Sequence, residues 1–234
     1  MVQARIKGSR TMIVYANSDS YGVCSTGKTY VDFIGQAFDA STVNRGLSGS
    51  CNRRIIRTTI RDLLDLKKEN KDILAIIGLA HTNRFEFWGE DPVNNDGHFQ
   101  SFQPGSVVPN LAKHLHKGWI ENYNDESANI NLFLDLILLT KFFKSYDINY
   151  LIWQGSMSLK SSDFDAAFIK NFYVEVKADS KILDMFNFSF SKYCSIMKGY
   201  IPYDSNLYGI HGHHCEQAHK DFAEYLLENY LNDI

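Results

Sequence analysis

Three short runs limit what this chain can fold into: Met12 to Ala16 (MIVYA), Ile73 to Ile77 (ILAII) and Tyr150 to Trp153 (YLIW). Each is apolar throughout. An extended chain of this kind offers no polar face to water, so both sides of the sheet it joins must be covered. The intervening segments have helical spacing. Gly27 to Phe38 sets Tyr30, Phe33, Ile34 and Phe38 on one side. Asn52 to Leu66 lines Ile55, Ile56, Thr59, Ile60, Leu63 and Leu64 along one face and keeps Arg53, Arg57 and Arg61 off it. Ala128 to Tyr146, Lys181 to Ser191 and Glu216 to Asn229 are expected helices, and Ser41 to Asn44 a further short strand. Strands and helices in alternation imply a three-layer α/β/α sandwich around a central parallel sheet. Ligands of such sheets bind beyond the carboxyl ends of the strands.

A chain of 234 residues can bury a sizeable core, and residues 1–234 are expected to form one domain. The stretch at about 88–127 is expected to be a long loop insertion, since it holds three of the four prolines and no periodicity. It serves either as a lid or as a surface decoration. The net charge is −3 without a dense Lys/Arg block, which argues against nucleic acid as a partner. No apolar run approaches the ~18 residues of a membrane span, and the first residues lack the apolar centre of a signal peptide. Cys24, Cys51, Cys194 and Cys215 form no Cys-x-x-Cys pair and are expected to be thiols. The expectation is a cytoplasmic protein, or one assembled into a larger particle.

The first apolar run ends in Asn17-Ser18-Asp19-Ser20-Tyr21-Gly22. Small polar residues after a strand make turns. A serine there can also be a nucleophile, given a base for its proton and amide donors for the oxyanion. The run Asn44 to Asn52 (NRGLSGSCN) puts Gly46 and Gly49 between a strand and an Arg-rich helix, as backbone that approaches a ligand or as a tight loop with Ser50 as helix cap. His211, His213 and His214 crowd before the last helix. They can supply a general base, ligate zinc, or form a solvated turn, and no Cys-x-x-Cys or His-Glu-x-x-His spacing supports the metal.

Taken in order, these blocks resemble the SGNH (GDSL-type) hydrolases, whose fold is flavodoxin-like. Ser18-Asp19-Ser20-Tyr21-Gly22 looks like the Gly-Asp-Ser-x-x-Gly signature, Asn44-Arg45-Gly46-Leu47-Ser48-Gly49 is similar to Asn-x-Gly-x-Ser-Gly, and His213 to His219 follows His-Pro-x-x-x-Gly-His in spacing. The resemblance implies hydrolysis of an ester, often an acyl group on a carbohydrate or lipid, through an acyl-serine intermediate with no cofactor and no metal. Ser20 would be the nucleophile and first oxyanion donor, Gly49 the second donor and His213 the base. Its implied partner is a small-molecule or glycan ester.

Two positions depart from the family pattern. Counting from Gly78 puts Ala80 where the family has a side-chain oxyanion donor, leaving His81 or Asn83 to reach that space. Asp19, Asn52 and Arg84 complete the polar candidates on this rim, and Arg84 with Glu86 forms an expected structural pair. His211 and Ile210 stand where the family's aspartate belongs, and Asp204 is the nearest upstream acid. With His211 as its only orienting neighbour, the chain supports a Ser–His dyad. The rings of Phe85, Phe87, Trp88, Phe99, Phe102 and Trp119 either stack on substrate or pack the insertion onto the body, while Phe133, Phe142, Phe143 and Tyr146 are expected in the core.

Overall fold

The structure is a computed structural model, described here for residues 12–24, 27–69, 71–88, 99–103, 113–155, 159, 167–198 and 214–232. Its elements run β1 (Met12–Asn17), α1 (Tyr30–Ala37), β2 (Ser41–Asn44), α2 (Asn52–Lys68), β3 (Asp72–Leu79), β4 (Phe85–Trp88), β5 (Phe99–Phe102), α3 (Lys113–Asn122), α4 (Asp125–Ser145), β6 (Asn149–Gln154), α5 (Ala167–Lys177), the single turn α6 (Phe190–Lys192) and α7 (Glu216–Asn229). The three apolar runs become β1, β3 and β6. With β2 at one edge they form a parallel sheet in the order β2-β1-β3-β6.

Alternation along each strand sorts the core into two halves. Ile13, Tyr15, Ile73, Ala75, Ile77, Tyr150 and Ile152 pack toward α2, α4 and α5. Val14, Ala16, Leu74, Ile76, Leu151 and Trp153 pack toward α1 and α7. The sheet is therefore covered on both faces, as its composition requires. Helix starts follow local chemistry. The Asp32 carboxylate accepts from the N–H and the hydroxyl of Thr29, both at 2.8 Å, opening α1. Asn124 caps α4 by accepting from Ser127 N at 3.0 Å. In α7, Ala218, Phe222, Ala223 and Leu226 form the buried stripe, and Phe222 meets the rings of Phe190 at 4.5 Å and Trp153 at 5.0 Å.

The structure corrects three expectations. Lys181 to Ser191 is not a helix. Ile182 bridges Ile152 in parallel, and Asp184 Oδ1 accepts from the N–H groups of Phe186 and Asn187, closing a turn that competes with helix. The helix in that part of the chain is α5, with α6 after Ser189. The insertion at 88–127 is not structureless: β4 and β5 pair antiparallel, and α3 follows. Phe133 and Phe143 are fully buried, but Tyr146 is 44% exposed. Among the described residues no helix is long and apolar enough to cross a membrane.

Phe222 has no exposed surface and touches both the sheet and the α6 turn. Phe222→Ala is expected to cost about 3–5 kcal/mol in urea unfolding. A loss under about 1 kcal/mol would show that α7 does not close this face of the core.

Candidate functional site

The carboxyl ends of β1, β2 and β3 meet at one rim. Asn17, the last residue of β1, is fully buried and turned toward α2. Its Nδ2 donates to Ile55 O at 3.0 Å, to Thr58 Oγ1 at 2.7 Å and to Thr59 Oγ1 at 3.1 Å. Asp19 is also fully buried and caps a single 3₁₀ turn, Ser20–Gly22, by accepting from Tyr21 N at 3.1 Å. Its other oxygen accepts from Arg84 Nη1 at 3.0 Å. Of the polar cluster after β1, Asn17 and Asp19 are thus structural ties. Ser20, half-buried, opens the turn at the rim.

The loop after β2 lies against this turn. Asn44 Nδ2 donates to Gly22 O at 2.8 Å, and Leu47 N donates to Ser18 O at 3.1 Å. Gly49 has φ +82°, where a side chain is strained, and the space a Cβ would occupy is open. Ser50 does not cap α2. Its hydroxyl donates to Leu47 O at 2.7 Å, and the Cys51 sulfur accepts from Arg54 N at the cap position.

At the end of β3 the chain is held by side-chain amides. Ala80 N donates to Asn52 Oδ1 at 2.8 Å, Asn52 Nδ2 donates to Ala80 O at 3.0 Å, and Gln154 Nε2 donates to the same carbonyl at 3.3 Å. Asn52 extends the backbone pairing of β3 past its last residue. Gly78 is required here, since a Cβ would stand 2.6 Å from the Trp153 ring and 2.8 Å from Ser18 Cβ. His81 is half-buried; burial first, then the Arg84 charge, lowers its pKa and favours a neutral ring. Thr82 and Asn83 form the following turn, which Arg84 N closes on His81 O at 3.3 Å.

Arg84 and Glu86 do not pair with each other. Glu86 takes a two-point contact from Arg57, at 3.2 and 2.8 Å. Arg84 bonds Asp19, Ser50 O at 3.1 Å and Gln103 Oε1 at 3.1 Å. One guanidinium therefore joins the loops after β1, β2 and β5. The sequence offered no cue to this, because Asp19 and Arg84 are 65 positions apart.

His211, His213 and Asp204 lie outside the described residues. His214 is buried with its ring 5.5 Å from Tyr21 and 4.6 Å from Phe190. His219 is a core residue, stacked on Tyr30 at 6.0 Å. The start of α7 thus reaches the residue that follows Ser20. On the far side of Arg84 the insertion rings pack on one another: Phe85 on Trp119 at 4.2 Å and Phe87 on Phe102 at 4.5 Å.

A protein-family model described as a family of unknown function, DUF6071, matches residues 23–168. That span contains Gly49, Asn52, His81, Asn83 and Arg84, and excludes Ser20 and His213. Comparison with curated proteins gives no sequence match. Among solved structures, a protein assigned to the lipolytic G-D-S-L family from Desulfitobacterium hafniense DCB-2 is 14% identical with a TM-score of 0.51, over 92% of this chain and 98% of that one. The acetyl xylan esterase AlAXEase is 9% identical with a TM-score of 0.51, over 94% and 99%. At such identities the likeness is one of fold: the chain has the three-layer sandwich of the SGNH hydrolases.

Burial raises the Asp19 pKa to about 6, outweighing the nearby Arg84 charge. A carboxyl raised in the folded state stabilises fully below its unfolded pKa, and that contribution is lost as pH rises through the folded value. Unfolding of wild type and Asp19→Asn should therefore diverge with pH. From pH 4 to 7 the wild type should lose up to roughly 3 kcal/mol relative to the variant. A constant difference would show that Arg84 keeps Asp19 ionised throughout.

Proposed function

The chain belongs to the DUF6071 family, and from that fold and rim we propose that it is an SGNH-like serine esterase hydrolysing a small acyl ester, such as an O-acetyl group on a carbohydrate. The whole chain, 1–234, forms one such domain, with the β4-to-α3 segment as its insertion. In this reading Ser20 Oγ adds to the ester carbonyl carbon while its proton passes to His213. The N–H groups of Ser20 and Gly49 receive the developing oxyanion. The ester C–O bond breaks, and His213 returns the proton to the departing alcohol. Water then adds to the acyl-serine as His213 takes its proton. Collapse frees the acid and restores the serine hydroxyl. No cofactor enters.

The observation that carries the proposal is the contact between His214 and Tyr21 at 5.5 Å. It brings His214, the chain neighbour of His213, to the neighbour of Ser20, although the two are almost a chain length apart. Gly49, with positive φ and open space beside it, supports a backbone donor at the same rim. His211 is the residue offered to orient His213, while His81 and Asn83 are those offered for the third oxyanion position.

A second reading is a module that binds a glycan or protein partner at this rim without turnover. It is favoured by Ala80, whose methyl group offers no donor and whose backbone N–H and carbonyl are both taken by Asn52. A missing oxyanion donor costs about 3–4 kcal/mol of transition-state stabilisation.

Hydrolysis of a chromogenic acetyl ester should fall to background in Ser20→Ala and in His213→Asn. A fluorophosphonate should label wild type at Ser20. Equal rates in wild type and Ser20→Ala, with no label, would remove the enzyme reading and leave the binding one.

A further inference from the structure

Beside the rim, between the β3–β4 turn and the α3–α4 corner, lies a cleft of about 330 Å³. Arg84 lines it and also bonds Asp19, the residue before Ser20, so the cleft and the rim share a wall. Asn52 likewise lines it while holding Ala80.

The lining selects a kind of ligand. Its charges are matched within the protein: Arg53 with Asp135 at 3.0 Å, Arg84 with Asp19 at 3.0 Å, and Glu86 with Arg57 at 2.8 Å. Such a wall presents no net charge to attract a phosphate or a carboxylate. Part of the lining is aromatic, with Phe85, Trp119 and Tyr123 packed together and Trp119 half-buried on a helix that buries none of its residues. The lining also carries the hydroxyls of Thr82 and Ser127, the Asn131 amide and the Asn124 side-chain N–H groups, its oxygen being taken by Ser127 N. Hydroxyls and carboxamides both donate and accept, as sugar hydroxyls do. Flat rings cover the C–H faces of a pyranose. A long acyl chain would strand these polar groups without partners.

We infer that this cleft binds an uncharged polyhydroxylated unit, a neutral sugar residue, and that it holds the alcohol portion of the ester opened at Ser20. The second clause rests on the esterase reading; the first does not. Trp119 is the stacking surface, and Asn131, exposed on α4, supplies the polar edge.

Full-length Ser20→Ala protein, which cannot turn over, tests it by NMR titration of the tryptophan indole and asparagine side-chain amide signals. Cellohexaose, xylohexaose and mannohexaose serve as neutral probes, trigalacturonic acid as the acidic one and hexanoate as the acyl one. The expected result is saturable shifts of the Trp119 indole with at least one neutral oligosaccharide. Affinity should weaken about tenfold in Trp119→Ala and several-fold in Asn131→Ala, whose exposed position keeps the fold intact. No shift with any neutral probe overturns the inference, as does tighter binding of the acidic or acyl probe, or affinity unchanged in both variants. Sugar binding together with inactive wild type would sink the esterase reading alone. Ester hydrolysis without sugar binding would sink this one alone.

Discussion

The layered architecture follows from three strands that are buried on both faces. β1, β3 and β6 are buried on both faces, so the helices divide between two layers and the edges of the strands are the outlets for polar chemistry. Parallel pairing then points all carboxyl ends one way. The side chains that a strand core rejects, Asn, Ser, Asp and His, collect where the chain leaves it. A candidate site at this rim is a consequence of the core and needs no separate explanation.

Within the rim, most polar groups hold backbone in place. Asn17 ties β1 to α2, Asn52 and Gln154 grip Ala80, and Asn44 pins the carbonyl of Gly22. The Asp19–Arg84 pair is the costliest of these arrangements, with the carboxylate wholly buried and the guanidinium side chain 12% exposed. A buried pair adds little net stability over an apolar substitute, but breaking one partner typically costs about 3–5 kcal/mol. Its value here is positional: it fixes the turn that presents Ser20 relative to the loops carrying Ser50 and Gln103. Ser20 stands half-buried at this rim, and the Cβ side of Gly49 is open.

Much of this was legible in the residues. The continuous apolar runs gave the buried strands to within two positions, and the stripe of α2 was plain from its spacing. Where the reading failed, a competing interaction explains it. Residues 181–191 have apolar spacing, but Asp184 captures two backbone N–H groups, and Lys181 O and Leu183 N, on either side of Ile182, both bond the Ile152 backbone. The β4–β5 pair was missed because each strand is short and its partner lies across a stretch with no periodicity. Ser50 looked like a cap by residue type, yet the Cys51 sulfur occupies that position.

The amino-acid sequence alone determined the layers, the parallel sheet and which strand ends would gather, because those depend on periodicity within a dozen residues and on the need to cover two apolar faces. Only the tertiary structure decided that Asp19 meets Arg84, that Asn52 completes β3 and that Asp135 pairs with Arg53 in the lining of a polar and aromatic cleft. Those partners stand 65, 28 and 82 positions apart by residue number. Local spacing carries no record of them, since their meeting depends on strand register and helix packing fixed by the whole core.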